Sequence, residues 1–201
     1  MDLSGRIAGV VSTTTFDDLS EETVLASKMA ILDTIGVMIA GSGAGEGVGD
    51  VVGLLEDLGG AERCSVIGFG KKSNPVLAAM ANGALAHSID YDDAHDDAFV
   101  HPSASVVPAA LTVGEFANAS GRDLIRAVSL GNDVMCRLGF AVSNPEENGG
   151  LLWMLPVLLG TFSATVAASA ILGLTKGQVE NALGIAYGRA GGSKELVIEP
   201  G

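Results

Sequence analysis

The sequence predicts an all-α fold, a bundle of helices around a core of small side chains. Three observations carry this. The chain is 48% hydrophobic but only 4% aromatic, so its core is built from Ala, Val, Leu and Ile, and small residues let helices approach closely. Helix-start signals recur along its length, at Ser20, Asn74-Pro75, His101-Pro102-Ser103, Ser120 and Thr175. Only one short segment, 64–69, reads as extended.

Ser20 caps the first helix read from the sequence, with Glu21 and Glu22 in its first turn, where acids suit the helix dipole. Val24, Leu25, Met29, Leu32, Ile35 and Ile39 follow near helical spacing and mark its apolar face. Gly41 and the glycine-rich run after it end this helix. Residues 50–58 read as a second, short helix stopped by Gly59-Gly60. Asn74 and Pro75 form a cap and a first helical position, and that helix runs to His87 or Ser88. His101-Pro102-Ser103 opens the next, with Ser103 or Ser105 as its cap, and it continues to about Asn118. Ser120-Gly121-Arg122-Asp123 is a capping box with Asp in place of Glu, leading a helix through Val128, Met135 and Leu138. Residues 144–150 read as a loop. A long apolar helix follows, starting between Leu151 and Val157 and ending at Gly173. Thr175 to Gln178 is a second capping box, for a last helix through Val179, Leu183 and Ile185 to about Tyr187. This makes six or seven helices and one doubtful strand. The end, Gly191-Gly192 and then Pro200-Gly201, reads as interrupted. Residues 1–201 are therefore expected to be an incomplete helical domain, the N-terminal portion of a larger two-domain protein.

Composition narrows the function classes. The net charge is −13, and no Lys/Arg stripe is present, which argues against nucleic acid and against an anionic membrane surface. Cys64 and Cys136 stand 72 residues apart with no metal-ligand spacing around them and read as reduced thiols. Asp2, Arg6, Asp17 and Asp18 interrupt any signal peptide, so a cytoplasmic protein is expected. From Asn148 to Thr175 there is no charged residue, a length that spans a bilayer. Pro156, Gly160, Thr161, Ser163, Thr165 and Ser169 within it, and the lack of basic flanks, favour a buried helix of a soluble protein, with Ala164, Ala167 and Ala168 covered by neighbours.

Chemistry concentrates in one place. All three histidines of the chain lie in residues 87–103, together with five aspartates. Three readings compete there. Asp and His can act as general acid and base on a small acid without a metal, since a carboxylate beside an imidazole sets its tautomer and raises its pKa. His101 then sits before a helix N-terminus, whose N–H groups suit a substrate carboxylate. Alternatively His87, Asp90, His95 and His101 ligate a divalent metal, as in a hydrolase. Or the segment is a solvated acidic loop of a catalytically silent helical module.

The run Ala81-Asn82-Gly83-Ala84-Leu85-Ala86-His87-Ser88-Ile89-Asp90-Tyr91-Asp92-Asp93, followed by His101-Pro102-Ser103-Ala104, closely resembles the signature of the 2-methylcitrate dehydratase and cis-aconitate decarboxylase family (MmgE/PrpD). Ala119 to Leu124, Leu172-Gly173-Leu174 and Ala182 to Ala186 resemble it too, in order along nearly the whole chain. The resemblance implies a helical domain with a smaller α+β lid in a chain roughly twice this length, a homodimer, and lyase or isomerase chemistry on small di- or tricarboxylates with no cofactor and no metal. It assigns Asp90 and His101 as catalytic, and Asn82, His87, Asp93 and Ser103 as substrate-binding. It also shows departures. Ala94 stands where a threonine is common, and a histidine common before the long helix is replaced near Met154. A lysine of the family's site falls beyond Gly201. The 87–103 segment has no Lys or Arg, so cations for an anionic substrate must come from elsewhere. Arg122, Arg126 and Arg137 read as surface residues, Tyr91 as a packing residue and Trp153 as an anchor for the apolar helix.

Overall fold

The computed structural model describes residues 2–142 and 153–193. Most of its helices begin where side chains satisfy the free N–H groups of a first turn. Asp2 accepts from the Gly5 N–H to open α1 (Leu3–Thr13), a helix that the sequence reading did not anticipate. Ser20 Oγ accepts from the Thr23 N–H at 3.1 Å to open α2 (Glu21–Ala44). Gly47 and Gly59, both with positive φ, bracket α3 (Val48–Leu58). Two short strands follow, β1 (Cys64–Val66) and β2 (Lys71–Ser73), antiparallel with Cys64 opposite Ser73. The expected extended piece is thus half of a hairpin. Asn74 Oδ1 accepts from the Val76 and Leu77 N–H groups to open α4 (Pro75–His87). Then come α5 (Pro102–Ala117), α6 (Gly121–Val142), α7 (Leu155–Ile171) and α8 (Lys176–Tyr187). The Ser120–Asp123 and Thr175–Gln178 capping boxes form as expected. The loop read at 144–150 lies outside the described residues. The architecture is all-α.

α5 stands between α4, α6 and α7. Val106, Val107 and Ala110 of α5 share the main core with Ala127 and Val128 of α6, Val166 and Ala167 of α7, Val179 of α8 and Val11 of α1. A second core joins Met38 of α2, Val52 and Leu55 of α3, Val66 of the hairpin and Leu85 of α4. Each fully buried Val or Leu stabilises the fold by about 1.5–3 kcal/mol. Glycine makes the close helix contacts possible. A Cβ at Gly131 would lie 2.7 Å from Val106 Cγ1, and one at Gly160 would lie 2.4 Å from Ser105 Oγ. Pro108 sits inside α5.

Several expectations need correction. On α2, Leu25, Met29, Leu32 and Ile39 are exposed, while Ser27, Thr34, Val37, Met38 and Gly41 face the protein. Of the positions that spacing named, Ile35 packs against the second core and Val24 is half-buried, so spacing alone did not settle which face is covered. Among the described residues, α2 is the helix that is long and apolar enough to cross a bilayer by length and composition, whereas α7, in the segment first suspected, is a 17-residue helix. Ala167 is fully buried, but Ala164 and Ala168 are only partly covered. Arg126 is half-buried rather than on the surface. It donates to the carbonyls of Thr14 and Ala170 and so ties down the ends of α1 and α7. Arg122 pairs with Asp17 across the Phe16 ring, and Arg137 pairs with Asp133. Both cysteines are free, Cys64 buried and Cys136 half-buried.

Candidate active site

The turn from α4 to α5 brings the chemistry together. α4 stops at His87, and the Asp90 N–H donates to the His87 carbonyl at 3.2 Å. Asp90 takes a left-handed backbone, φ 50°, a conformation that Asp and Asn tolerate better than most residues. Phe99 is left-handed too, at φ 51°. Between them the His95 N–H donates to the Val100 carbonyl at 2.9 Å, closing the loop. His101 arrives at the position just before the first turn of α5, with no capping hydrogen bond from its own side chain.

The centre of this arrangement is Asp92, whose side chain is fully buried. His87 Nδ1 lies 2.9 Å and 3.1 Å from its two oxygens. A carboxylate can only accept, so Nδ1 of His87 carries the proton. His101 Nδ1 lies 3.4 Å from Asp92 Oδ2, close enough for charge attraction but out of line for a hydrogen bond. That buried nitrogen has no hydrogen-bond partner among the described residues. The two imidazole rings meet edge-on, 5.5 Å apart. The hydrogen bond to Asp92 raises the pKa of His87, and the charges of Asp92 and Asp90 add to it, against the opposing effect of burial. Burial would raise Asp92, but the hydrogen bond and charge of His87 outweigh it and hold the carboxyl below its ordinary value.

His87, Asp90 and His101 line one cleft of about 530 Å³, a volume suited to a small metabolite. Met80 and Gly83 of α4, Ala104, Ser105 and Pro108 of α5, and Met154, Pro156, Val157, Gly160 and Thr161 around the start of α7 complete it. No Lys or Arg is among its lining residues. Met154, near which the resemblance implies a replaced histidine, is part of this wall. Its N–H donates to the Gly192 carbonyl at 2.7 Å, and Trp153 bridges to Ser193. Trp153 itself is half-exposed, not a buried anchor, and Tyr91 is exposed rather than packed.

The other sequence-derived residues lie elsewhere. Asn82 is buried and holds the hairpin, accepting from the Ile67 N–H and donating to the Ser65 carbonyl, both at 2.9 Å. Asp93 accepts from the Ser103 N–H at 3.0 Å and from Ser103 Oγ at 2.5 Å. Asn132 donates to the same hydroxyl at 3.1 Å. The cap of α5 is therefore Asp93, not Ser103 or Ser105. The protein's own carboxylate occupies the Ser103 N–H that was expected to face a substrate. Burial raises the pKa of Asp93 despite the Ser103 hydrogen bonds, which act to lower it. Asp93, Ala94 and His95 line a different cleft, against Thr23 and Ser27 of α2 and Asn132 and Cys136 of α6. The metal set of His87, Asp90, His95 and His101 is thus not assembled. Instead, ligand atoms of His87, Asp92 and His101 lie within 4.8 Å of one another.

Asp92 is the residue that sequence reasoning missed. Spacing could not single it out, because the left-handed Asp90 decides which of three nearby carboxylates turns inward.

The family model for the MmgE/PrpD N-terminal domain matches residues 5–197. A cis-aconitate decarboxylase of Aspergillus terreus is 35% identical over 136 residues, covering 64% of this chain and 27% of that protein. Cis-aconitate decarboxylase of Mus musculus is 30% identical over 191 residues, covering 92% of this chain and 38% of that protein. The human counterpart is 29% identical over 180 residues, covering 86% and 36%. The chain thus spans from about a quarter to two fifths of the length of these curated relatives.

Proposed function

The chain belongs to the MmgE/PrpD family, and on that premise we propose that it carries the N-terminal share of the active site of a metal-independent lyase or isomerase acting on a small di- or tricarboxylate. The relatives named cis-aconitate decarboxylase make decarboxylation or dehydration of a tricarboxylate the first reaction to test. The observation that carries the reading is the convergence of His87 and His101 on the buried carboxylate of Asp92 at the edge of the cleft.

In this reading His101 is the acid/base. Its Nδ1 is turned to Asp92, which leaves Nε2 for the cleft. With Nε2 open to the cleft, the ring can accept a proton from a carbon next to a carboxylate and return it later. His87, protonated more readily than usual, offers positive charge to the substrate or to the developing enediolate. Asp90, in the same cleft, assists or orients. One imidazolium cannot offset three carboxylates, so this reading requires further cations besides the described lining of the cleft. We further propose that the active species is a homodimer.

A second reading, a divalent cation held by His87, Asp92 and His101, is favoured by the closeness of their ligand atoms. One experiment separates the two. In the complete protein, His101→Ala is expected to lower kcat/KM on cis-aconitate or a related polycarboxylate by roughly 10²-fold or more, while a chelator leaves the wild-type rate unchanged. Activity lost to chelator and restored by a divalent metal hands the site to the second reading. Full activity in His101→Ala removes both.

A further inference from the structure

The face of α5 that borders the cleft carries a polar pair that the acid/base chemistry does not use. Ser105 follows His101 by four residues, so the two lie on one side of the chain as it enters the helix, and both line the cleft with Ala104 and Pro108. Among the described residues the Ser105 hydroxyl makes no hydrogen bond, and it is not sealed from solvent. Its oxygen lies against Gly160 of α7, where a Cβ would approach to 2.4 Å, so the glycine leaves the hydroxyl its room. Pro108 sits inside α5 and has no N–H. The Ala104 carbonyl therefore lacks the donor that the fourth residue onward supplies elsewhere in a helix. Met154, Pro156 and Val157, which the start of α7 contributes to the same cleft, are apolar.

We infer that Ser105 and the Ala104 carbonyl read a hydroxyl group on the substrate, so that the cleft selects a hydroxy polycarboxylate over the same acid without its hydroxyl. A substrate hydroxyl is both donor and acceptor. It donates to the Ala104 carbonyl and accepts from Ser105 Oγ. A carboxylate only accepts, so it gains from Ser105 but sets its negative charge against the carbonyl oxygen. A methylene in that place strips water from both groups and returns no hydrogen bond. A site built around a hydroxyl rejects the analogue that lacks it for this reason. The four-residue step from His101 keeps the recognised hydroxyl on a carbon close to the one whose proton His101 handles. The inference rests on the reading of the cleft as a polycarboxylate site and adds the group that distinguishes its substrate.

The test uses the complete protein and two acids that differ in one group, citrate and tricarballylate. Both present three carboxylates, and only citrate has the hydroxyl. Binding is measured by isothermal titration calorimetry. The wild type is expected to bind citrate roughly 10-fold more tightly than tricarballylate. Ser105→Ala, a change that a helix accepts readily, should bring the two dissociation constants to within about twofold. Pro108→Ala supplies an N–H for the Ala104 carbonyl and should narrow the preference as well, with a cooperative thermal melt. A wild type that binds both acids equally, or a citrate preference that survives Ser105→Ala, overturns the hydroxyl subsite and leaves the polycarboxylate reading standing. A preference lost in Ser105→Ala but kept in Pro108→Ala overturns the pair and leaves Ser105 as its one working member. Binding of neither acid overturns the subsite together with the polycarboxylate reading.

Discussion

One side of the 88–101 turn faces the cleft, and the other is pressed against α2 and α6. Each side holds an imidazole and a buried carboxylate, yet the pairings differ. On the cleft side Asp92 serves two histidines and little else. On the other side Asp93 is spent on the backbone and hydroxyl of Ser103, while His95 packs edge-on against Phe140 with rings 5.0 Å apart and leaves Nδ1 buried without a hydrogen bond. Adjacent aspartates have thus been divided between proton chemistry and helix capping. A carboxylate whose oxygens are taken by a helix start is poorly placed to serve a reacting atom, whereas one that touches only imidazoles tunes them.

The strongest way to break this contrast is on the cleft side. Asp92→Asn in the complete protein keeps the shape but removes the charge that favours an imidazolium. It should lower kcat/KM at least about 10-fold and, because His87 then loses its proton more readily, move the alkaline limb of the pH profile to lower pH. An unchanged rate and profile would reduce Asp92 to a packing residue. Next is Asp93→Ala, which removes the cap of α5 and leaves the Ser103 N–H and hydroxyl without their acceptor. A loss of about 1–2 kcal/mol in stability is expected, read by denaturant unfolding. If Asp93 instead binds substrate, KM will rise with stability intact.

The electrostatic contrast can be sharpened by pH. His87 has its pKa raised in the folded state, so the stability it contributes is fully present below its unfolded value near 6.5 and is lost as pH rises through the higher folded value. Asp92 has its pKa lowered, so its share is present above the unfolded 3.8 and is lost as pH falls through the lower folded value. The Tm gap between wild type and His87→Gln should therefore be widest between these values and narrow on the alkaline side. A gap that does not vary with pH contradicts the pairing. The smallest effect is expected from His95→Ala, with kcat/KM within about twofold of wild type in a folded protein. A loss comparable to that of His101→Ala would show that both sides of the turn react.

Much of the scaffold was legible because it is written in local chemistry. The capping signals at Ser20, Asn74, Ser120 and Thr175 involve residues within three positions of one another, and each opens a helix where expected. The clustering of histidines and aspartates marked the right segment. What failed depended on contacts distant in sequence. The apolar positions of α2 read as a core face because periodicity reports that a stripe exists, not what covers it. Asn82 was assigned to the site by the resemblance, yet it is its neighbour Gly83 that lines the cleft. One position along the helix turns the side chain about 100° away, onto the hairpin. Ser103 looked like a cap or a ligand, but a carboxylate ten residues upstream claims it.

The left-handed backbone at Asp90 constrains how this site can change over generations. At φ 50° a β-branched or bulky side chain is strained, and Gly, Asn and Asp are the residues that adopt the conformation most cheaply. Of those three only Asp carries a charge. The turn that delivers His101 thus favours a short alphabet at position 90 with a single acidic letter, and Glu, although chemically similar, adopts this backbone at a higher cost. Drift at this position runs toward Asn or Gly, and each step that preserves the turn discards the carboxylate.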